Sequence, residues 1–137
     1  MTEVKFDWES GIEEVCLKLQ GKKRIGIQVP EGLKPRAHQI VERVKELTGA
    51  RIVLWGEPTY GACDLADRPL EEIGADALIH MGHLPMPYHS EFYAVPTYFV
   101  PVRHTGELNL NKEGISKIKE ILPVSYTHLT LPTILLV

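Results

Sequence analysis

The chain has 137 residues, of which 44% are hydrophobic and 24% are charged, and its formal net charge at pH 7 is -3. This length suits one domain with a modest core, and the net negative charge disfavours a general nucleic-acid binder. No apolar run reaches the roughly 18 residues that a membrane span requires, and no signal-peptide pattern is present. Two cysteines are too few for a disulfide scaffold, so we expect a reduced, cytoplasmic setting.

Helix-like and strand-like patterns alternate along the chain up to about residue 122. Apolar residues recur at helical spacing in residues 8–20, 37–47, 65–73 and 115–121. Apolar, β-compatible runs occupy residues 24–29, 51–56, 77–80 and 97–100, and Pro101 is expected at the end or the edge of the last strand. Because the strand centres are apolar instead of alternating, we predict a three-layer α/β sandwich with a four-stranded, mainly parallel sheet flanked by helices.

The final segment, residues 124–137, breaks this pattern because VSYTHLTLPTILLV contains no Asp, Glu, Lys or Arg. One interpretation is an additional strand, since Leu129-Thr-Leu131 alternates and ILLV is β-compatible. The other is that VSYTHLTLPT resembles a translated adapter from DNA library preparation, and this is the interpretation that we favour. Residues 1–123 are then the native domain, and residues 124–137 are a tail to be excluded from fold reasoning.

Three loops that follow predicted strands contain residues suited to chemistry. In an open parallel sheet, ligands bind beyond the carboxyl ends of the strands, where such loops converge. The first strand leads to Glu31 and Gly32, the second to Cys63, and the third to His80 and His83. We therefore expect these residues at one end of the sheet.

Cys63 lies in the loop EPTYGACD, between a predicted strand and a predicted helix. If Asp64 or Asp67 caps that helix, the unpaired N–H groups at its start would stabilise a thiolate, which is a metal ligand or a nucleophile. The alternative is that Cys63 only packs against apolar neighbours. Cys16 lies on the apolar stripe of the first helix and is predicted to belong to the core.

His80 and His83 could bind a metal ion or an anionic ligand. Together with Cys63 they could form a zinc site with an open fourth position, whereas the alternative for His80 is a histidine bonded to a backbone carbonyl. Glu31 could act as a base or bind a ribose, or it could be solvated or cap the next helix. No GxGxxG or P-loop motif supports a nucleotide site.

The segments IQVPEGL, GEPTYGACDLAD and IHMGHLPMP, in this order, resemble the first domain of the diphthamide-synthesis family. This is the family of 2-(3-amino-3-carboxypropyl)histidine synthases of the archaeal type. The resemblance covers about residues 20–105, and GACD is its most diagnostic segment.

The resemblance implies three similar α/β domains that each give one cysteine to a [4Fe-4S] cluster. In this family the cluster binds S-adenosylmethionine and cleaves its Cγ–S bond, and the resulting 3-amino-3-carboxypropyl radical adds to a histidine of elongation factor 2. The archaeal enzymes are homodimers. Carried over to this chain, Cys63 is the implied cluster ligand, and Glu31, Gly32, His80 and His83 are implied substrate-binding positions.

The chain departs from this family in length, and the second and third cluster cysteines have no counterpart in it. One thiolate cannot hold such a cluster, so we expect this chain alone to be inactive, although the intact protein would be an enzyme. Two alternatives stay open, a zinc-dependent hydrolase-like domain that uses Cys63, His80 and His83, and a non-catalytic α/β binding module in which Cys63 is inert.

Overall fold

A computed structural model describes residues 8–87, 92–105 and 112–120. Its strands are β1 (Trp8–Ser10), β2 (Arg24–Gln28), β3 (Arg51–Leu54), β4 (Ala77–Met81), β5 (Thr97–Val100) and β6 (Val102–His104). Its helices are α1 (Ile12–Lys18), α2 (Ala37–Thr48) and α3 (Asp67–Glu72), and a 3₁₀ helix covers Glu31–Arg36. The chain divides into two units, Met1–Thr105 and Gly106–Val137, and residues 112–120 of the second unit are helical.

Strands β2 to β5 form a four-stranded, all-parallel sheet in the order β3-β2-β4-β5. The two central strands, β2 and β4, are buried over almost their whole length, which explains why their sequences are apolar without strict alternation. The predicted α/β fold with a parallel sheet is confirmed. No helix in the described part of the chain has the length and hydrophobicity needed to cross a membrane.

The two faces of the sheet carry separate hydrophobic clusters. On one face, Ile25 and Ile27 of β2 belong to the same cluster as buried residues of α1 and α2. On the other face, Leu78 of β4 clusters with Leu70 of α3. Since side chains alternate along a strand, Gly26 and Gln28 share the α3 face with Leu78 and His80.

The N-terminal part of the sequence prediction was wrong. Residues 8–10 form β1, which pairs in antiparallel register with β6, and α1 begins only at Ile12. A three-residue strand is too short to produce a periodic pattern, and its partner lies far along the chain, so this small second sheet left no local signal. Pro101 separates β5 from β6, which agrees with its expected position at the end of the last parallel strand.

The second helix matches its prediction closely. Helix α2 ends at Thr48 and is capped by Gly49, which has a φ of 67° and donates its N–H to the carbonyl oxygen of Lys45 at 2.8 Å. Glycine adopts this left-handed conformation without a steric penalty and is therefore the usual helix-ending residue. The structure is helical over residues 112–120, which confirms the last predicted helix, residues 115–121, as far as residue 120. Residue 121 and the predicted tail, residues 124–137, lie outside the described residues.

Gly26 gives a direct test of how α3 packs on the sheet. A Cβ atom at this position would lie 2.5 Å from Cδ1 and 3.2 Å from Cγ of Leu70. Gly26→Ala is expected to lower the free energy of unfolding by about 1–3 kcal/mol, because the buried methyl group overpacks this contact. Urea unfolding would measure the change.

Gly56→Ala is the matched control, since a Cβ atom at Gly56 meets nothing within 4 Å. Adding Leu70→Ala to Gly26→Ala should make the two losses less than additive, because the smaller side chain leaves room for the methyl group. Equal, small effects of Gly26→Ala and Gly56→Ala would contradict this account of the packing.

Candidate functional site

The loops after β2, β3 and β4 all leave the carboxyl ends of their parallel strands, which we call the carboxyl edge of the sheet. Two contacts hold these loops together. Lys34, in the 3₁₀ helix that follows β2, forms an ion pair with Glu31. Its Nζ atom also donates hydrogen bonds to the carbonyl oxygens of Gly56 and Glu57 after β3, at 3.1 and 3.2 Å. The ammonium group of Lys34 therefore links the first loop to the second.

Gly82 brings the loop after β4 close to the loop after β2. Its φ is +84°, and a Cβ atom there would lie 2.8 Å from Cγ of Pro30. Both the left-handed backbone and the close approach require glycine at this position. The first and third loops are thus in direct contact.

Cys63 is exposed within a tight turn. The N–H of Asp64 donates to the carbonyl oxygen of Gly61 at 3.1 Å, and a carboxylate oxygen of Asp64 accepts from the N–H of Tyr60 at 3.2 Å. Side-chain bonds of this kind are typical of Asp in turns. The carboxylate of Asp64 therefore closes the turn that presents the thiol.

The predicted helix capping by Asp64 or Asp67 was wrong. Helix α3 begins at Asp67 with Ala66 as its N-cap, and no side chain caps it. The carboxylate of Asp67 instead accepts a hydrogen bond from the N–H of Ala94 at 2.8 Å, because the segment before β5 passes beside α3. Cys63 therefore lies in the turn before α3 and outside the helix itself.

A buried glutamine, Gln28 at the end of β2, hydrogen-bonds to the segment that contains Cys63. Its Nε2 group donates to the hydroxyl of Thr59 at 3.1 Å and to the carbonyl oxygen of Asp64 at 2.6 Å. Its Oε1 atom accepts from the N–H of Ala66 at 3.2 Å. One side chain thus contacts this segment on both sides of the cysteine.

The same glutamine reaches the histidine pair. Oε1 of Gln28 lies 3.0 Å from Nδ1 of His80, and Nε2 of His80 lies 2.9 Å from Nδ1 of His83. The His80 ring is fully buried and also packs on Phe99, with ring centroids 5.2 Å apart. His80 is therefore bonded to side chains, and the alternative of a bond to a backbone carbonyl does not apply.

Burial shifts the acid–base behaviour of two groups in this unit. It is the main reason that the pKa of His80 falls to about 4, and the neighbouring His83 contributes in the same direction. It also raises the pKa of the Cys16 thiol to about 11, with Glu13 as the next cause. His80 is thus uncharged at neutral pH, and Cys16 is an inert core thiol, as predicted.

The structure places the predicted site residues at one edge but in two groups. Glu31 and Gly32 are exposed at the start of the 3₁₀ helix, whereas His80 and His83 are joined to the Cys63 turn through Gln28. Across the described ranges, no three His, Cys, Asp or Glu side chains are grouped so as to hold a metal ion. The alternative zinc site therefore has no support in this geometry.

Two important residues of this edge, Gln28 and Lys34, were not singled out from the sequence. The signal for Gln28 was present, because this polar residue follows the apolar run Ile25-Gly-Ile27 within a predicted strand. A buried amide in such a position must find hydrogen-bond partners. Lys34 left no comparable signal, since lysine is common in exposed segments.

The two thiols should react very differently. The pKa of Cys16 is raised from 9.0 to about 11, which lowers its thiolate fraction about 100-fold relative to an ordinary thiol, and the side chain is buried. We expect iodoacetamide at neutral pH to modify Cys63 in the folded chain and Cys16 only after unfolding. Peptide mass spectrometry would measure both rates, with Cys63→Ala as the control that stays unmodified while folded.

The stability of the chain should decrease in mild acid because of His80. Its pKa is about 4 when folded and about 6.5 when unfolded, so between these values the unfolded chain binds the additional proton. The free energy of unfolding should therefore fall by roughly 2–3 kcal/mol as the pH decreases through this window. Urea unfolding at several pH values would measure it.

His80→Gln is the matched variant for this titration, because glutamine stays uncharged at every pH. It is expected to be less stable than the wild type at pH 7 but to show a shallower decrease between pH 6.5 and 4. Parallel pH profiles of the two proteins would mean that His80 does not titrate as described.

Comparison with known proteins identifies relatives of this chain. The family model described as putative diphthamide synthesis protein matches residues 29–131. The chain is 42% identical over 106 residues to the 2-(3-amino-3-carboxypropyl)histidine synthase of Pyrococcus horikoshii, covering 77% of this chain and 30% of that protein. It is 37% identical over 84 residues to subunit 1 of the human synthase, covering 59% of this chain and 19% of the subunit.

The solved structures agree with the sequence relatives. The crystal structure of Dph2 from Pyrococcus horikoshii with a 4Fe-4S cluster superposes with a TM-score of 0.62 at 38% identity. The match covers 82% of this chain and 33% of the Dph2 chain, so this chain spans about a third of its relative's length. With the parallel sheet and the loop that presents Cys63, these matches show that the chain belongs to the diphthamide synthesis protein family.

Proposed function

We propose that this chain is the first α/β unit of a 2-(3-amino-3-carboxypropyl)histidine synthase. The reaction is the first step of diphthamide synthesis, the transfer of the 3-amino-3-carboxypropyl group from S-adenosylmethionine to a histidine of elongation factor 2. The observation that supports it most is the exposed thiol of Cys63 at the carboxyl edge of the sheet, in a chain related to a protein solved with a 4Fe-4S cluster.

Cys63 is the residue that would hold the [4Fe-4S] cluster. It is free and exposed, whereas the chain's other cysteine, Cys16, is buried and has a raised pKa. Thiolates are the usual ligands of such clusters, and more than one is needed. The cluster would supply the electron that cleaves the Cγ–S bond of S-adenosylmethionine, and the remaining thiolates would come from other parts of the full-length protein.

The proposed substrate-binding residues lie on either side of Cys63 in the chain. Gly32 leaves space, since a Cβ atom there would meet nothing within 4 Å. Glu31 offers a carboxylate whose charge Lys34 balances, and His83 is half-buried beside His80. The carboxylate of Glu31 and the ring of His83 suit the ammonium group of an amino acid moiety, which needs a hydrogen-bond acceptor.

The protein partner of this reaction is elongation factor 2, and we propose a homodimer for the full-length protein. The cytoplasm is the proposed location, since a translation factor is the substrate. Apolar side chains are exposed in the loops at the candidate site, with Tyr60 81% and Leu84 69% exposed. Exposed apolar residues beside a binding edge favour coverage by further protein surface.

The proposed function is tested by removing one thiol at a time from the full-length protein. Cys63→Ala is expected to abolish the stoichiometric cluster and the transfer of label from carboxyl-labelled S-adenosylmethionine to elongation factor 2, because a cluster ligand is lost. Iron analysis, the visible absorption spectrum and the labelled product would measure this. Cys16→Ala is the matched control and should keep both properties.

The 137-residue chain provides a further arm of the same experiment. After anaerobic reconstitution with iron and sulfide it should contain less than one cluster per chain and show no transfer, because it has one available thiolate. A stable cluster with turnover in this chain, or an active full-length Cys63→Ala variant, would refute the proposed role of Cys63.

A further inference from the structure

We propose that Gln28 is the positioning residue of this site. Its carboxamide fixes the turn that presents Cys63. Through His80 it also determines the tautomer of His83, so that Nε2 of His83, the nitrogen not bonded to His80, is a hydrogen-bond acceptor. The ligand assigned to that acceptor rests on the proposed function, whereas the arrangement itself follows from the hydrogen bonds of the chain.

The orientation of the Gln28 amide has one solution. The carbonyl oxygen of Asp64 can only accept, so the atom 2.6 Å from it must be the NH₂ group of Gln28. The backbone N–H of Ala66 can only donate, so the atom 3.2 Å from it must be Oε1. In a flipped amide, the NH₂ group would face the N–H donor of Ala66, and Oε1 would face the carbonyl acceptor of Asp64.

The orientation of Gln28 then determines the tautomer of His80. Oε1 of Gln28 can only accept, so Nδ1 of His80, 3.0 Å away, must carry a hydrogen. His80 is buried and uncharged at neutral pH, so its Nε2 atom has no hydrogen and acts as an acceptor. The buried ring of His80 therefore donates a hydrogen bond to Gln28 and accepts one from the loop after β4.

The tautomer of His80 in turn determines that of His83. Nδ1 of His83 lies 2.9 Å from the acceptor nitrogen of His80, so it must be the donor of that hydrogen bond. In the neutral His83 ring, the lone pair is then on Nε2. His83 is half-buried, and the described part of the chain provides no partner for this atom.

The outward nitrogen of His83 is therefore suited to a ligand that donates a hydrogen bond. A primary ammonium group is the chemical class that fits, because it carries three donors and no acceptor. The 3-amino-3-carboxypropyl group of S-adenosylmethionine has such an ammonium group, which connects this arrangement to the proposed reaction. The opposite tautomer would present an N–H to the same ligand and would repel it.

The same amide explains how the Cys63 turn is held. Thr59, Asp64 and Ala66 enclose the turn in the sequence, and all three bond to Gln28. Thr59 is also buried, with 2% of its surface exposed. Replacing Gln28 with an apolar residue would leave these donors and acceptors, two of which are buried, without partners, so the segment could keep its conformation only by admitting water.

The experiment uses the metal-free, ¹⁵N-labelled 137-residue chain. Long-range ¹H–¹⁵N spectra of the histidine rings report the tautomer, and amide hydrogen exchange reports the protection of Ala66 and Asp64. In the wild type, both His80 and His83 should carry hydrogen on Nδ1. In Gln28→Met, which keeps the side-chain volume, His83 should shift towards the Nε2–H form, and the Ala66 amide should exchange at least about 10-fold faster.

Two further variants separate the effects. Thr59→Val removes one acceptor with no change of shape, so exchange in the Cys63 turn should increase several-fold while both ring tautomers stay as in the wild type. Ile27→Val removes a methyl group next to Gln28 in the strand but on the opposite face of the sheet, and it controls for a loss of global stability. In Ile27→Val, the tautomers of His80 and His83 and the ratio of the Ala66 exchange rate to the core exchange rates should stay as in the wild type.

The proposal is overturned if His83 carries its hydrogen on Nε2 in the wild type, or if Gln28→Met and Ile27→Val give the same spectra and exchange ratios. If Gln28→Met does not fold, the wild-type spectrum and Thr59→Val still decide between the outcomes. Because no cluster is present in these measurements, a failure here is distinct from a failure of the proposed function, which the reconstitution of the full-length protein tests.

Discussion

The hydrogen bonds of the Gln28 carboxamide are the constraint on which the arrangement of this site depends. Gln28 and His80 are neighbours in the β2–β4 ladder, and both belong to the face that α3 covers. A buried polar group in such a position must satisfy every donor and acceptor, and few conformations of the surrounding loops allow it. The apolar core makes the sheet stable, and this one polar group determines how the loop with Cys63 is attached to it.

The strands and helices with long apolar patterns could be predicted from the sequence. Burial dictates the composition of β2 and β4, and the glycine at position 49 marks the end of α2, so their positions were recognisable. The small β1–β6 sheet could not be predicted, since three-residue strands leave no period and pair only because the fold brings them together. The start of α1 was misplaced for the same reason.

The meeting of Glu31, Cys63, His80 and His83 at one edge could also be predicted, because parallel topology places the ends of successive strands together. The connections between them could not. Whether Asp64 caps a helix or closes a turn depends on where α3 begins, and the composition of the segment allows both. Hydrogen bonds from Gln28 and Lys34 depend on side-chain directions that only the folded chain defines.

The burial of Cys16 has a consequence for handling this protein in air. Cys63 is exposed and Cys16 is buried, so an oxidant cannot join the two as a disulfide within one folded chain. Oxidation would instead join two molecules through Cys63. A covalent pair on a non-reducing gel would therefore report an unprotected thiol and would carry no information about how subunits associate in the cell.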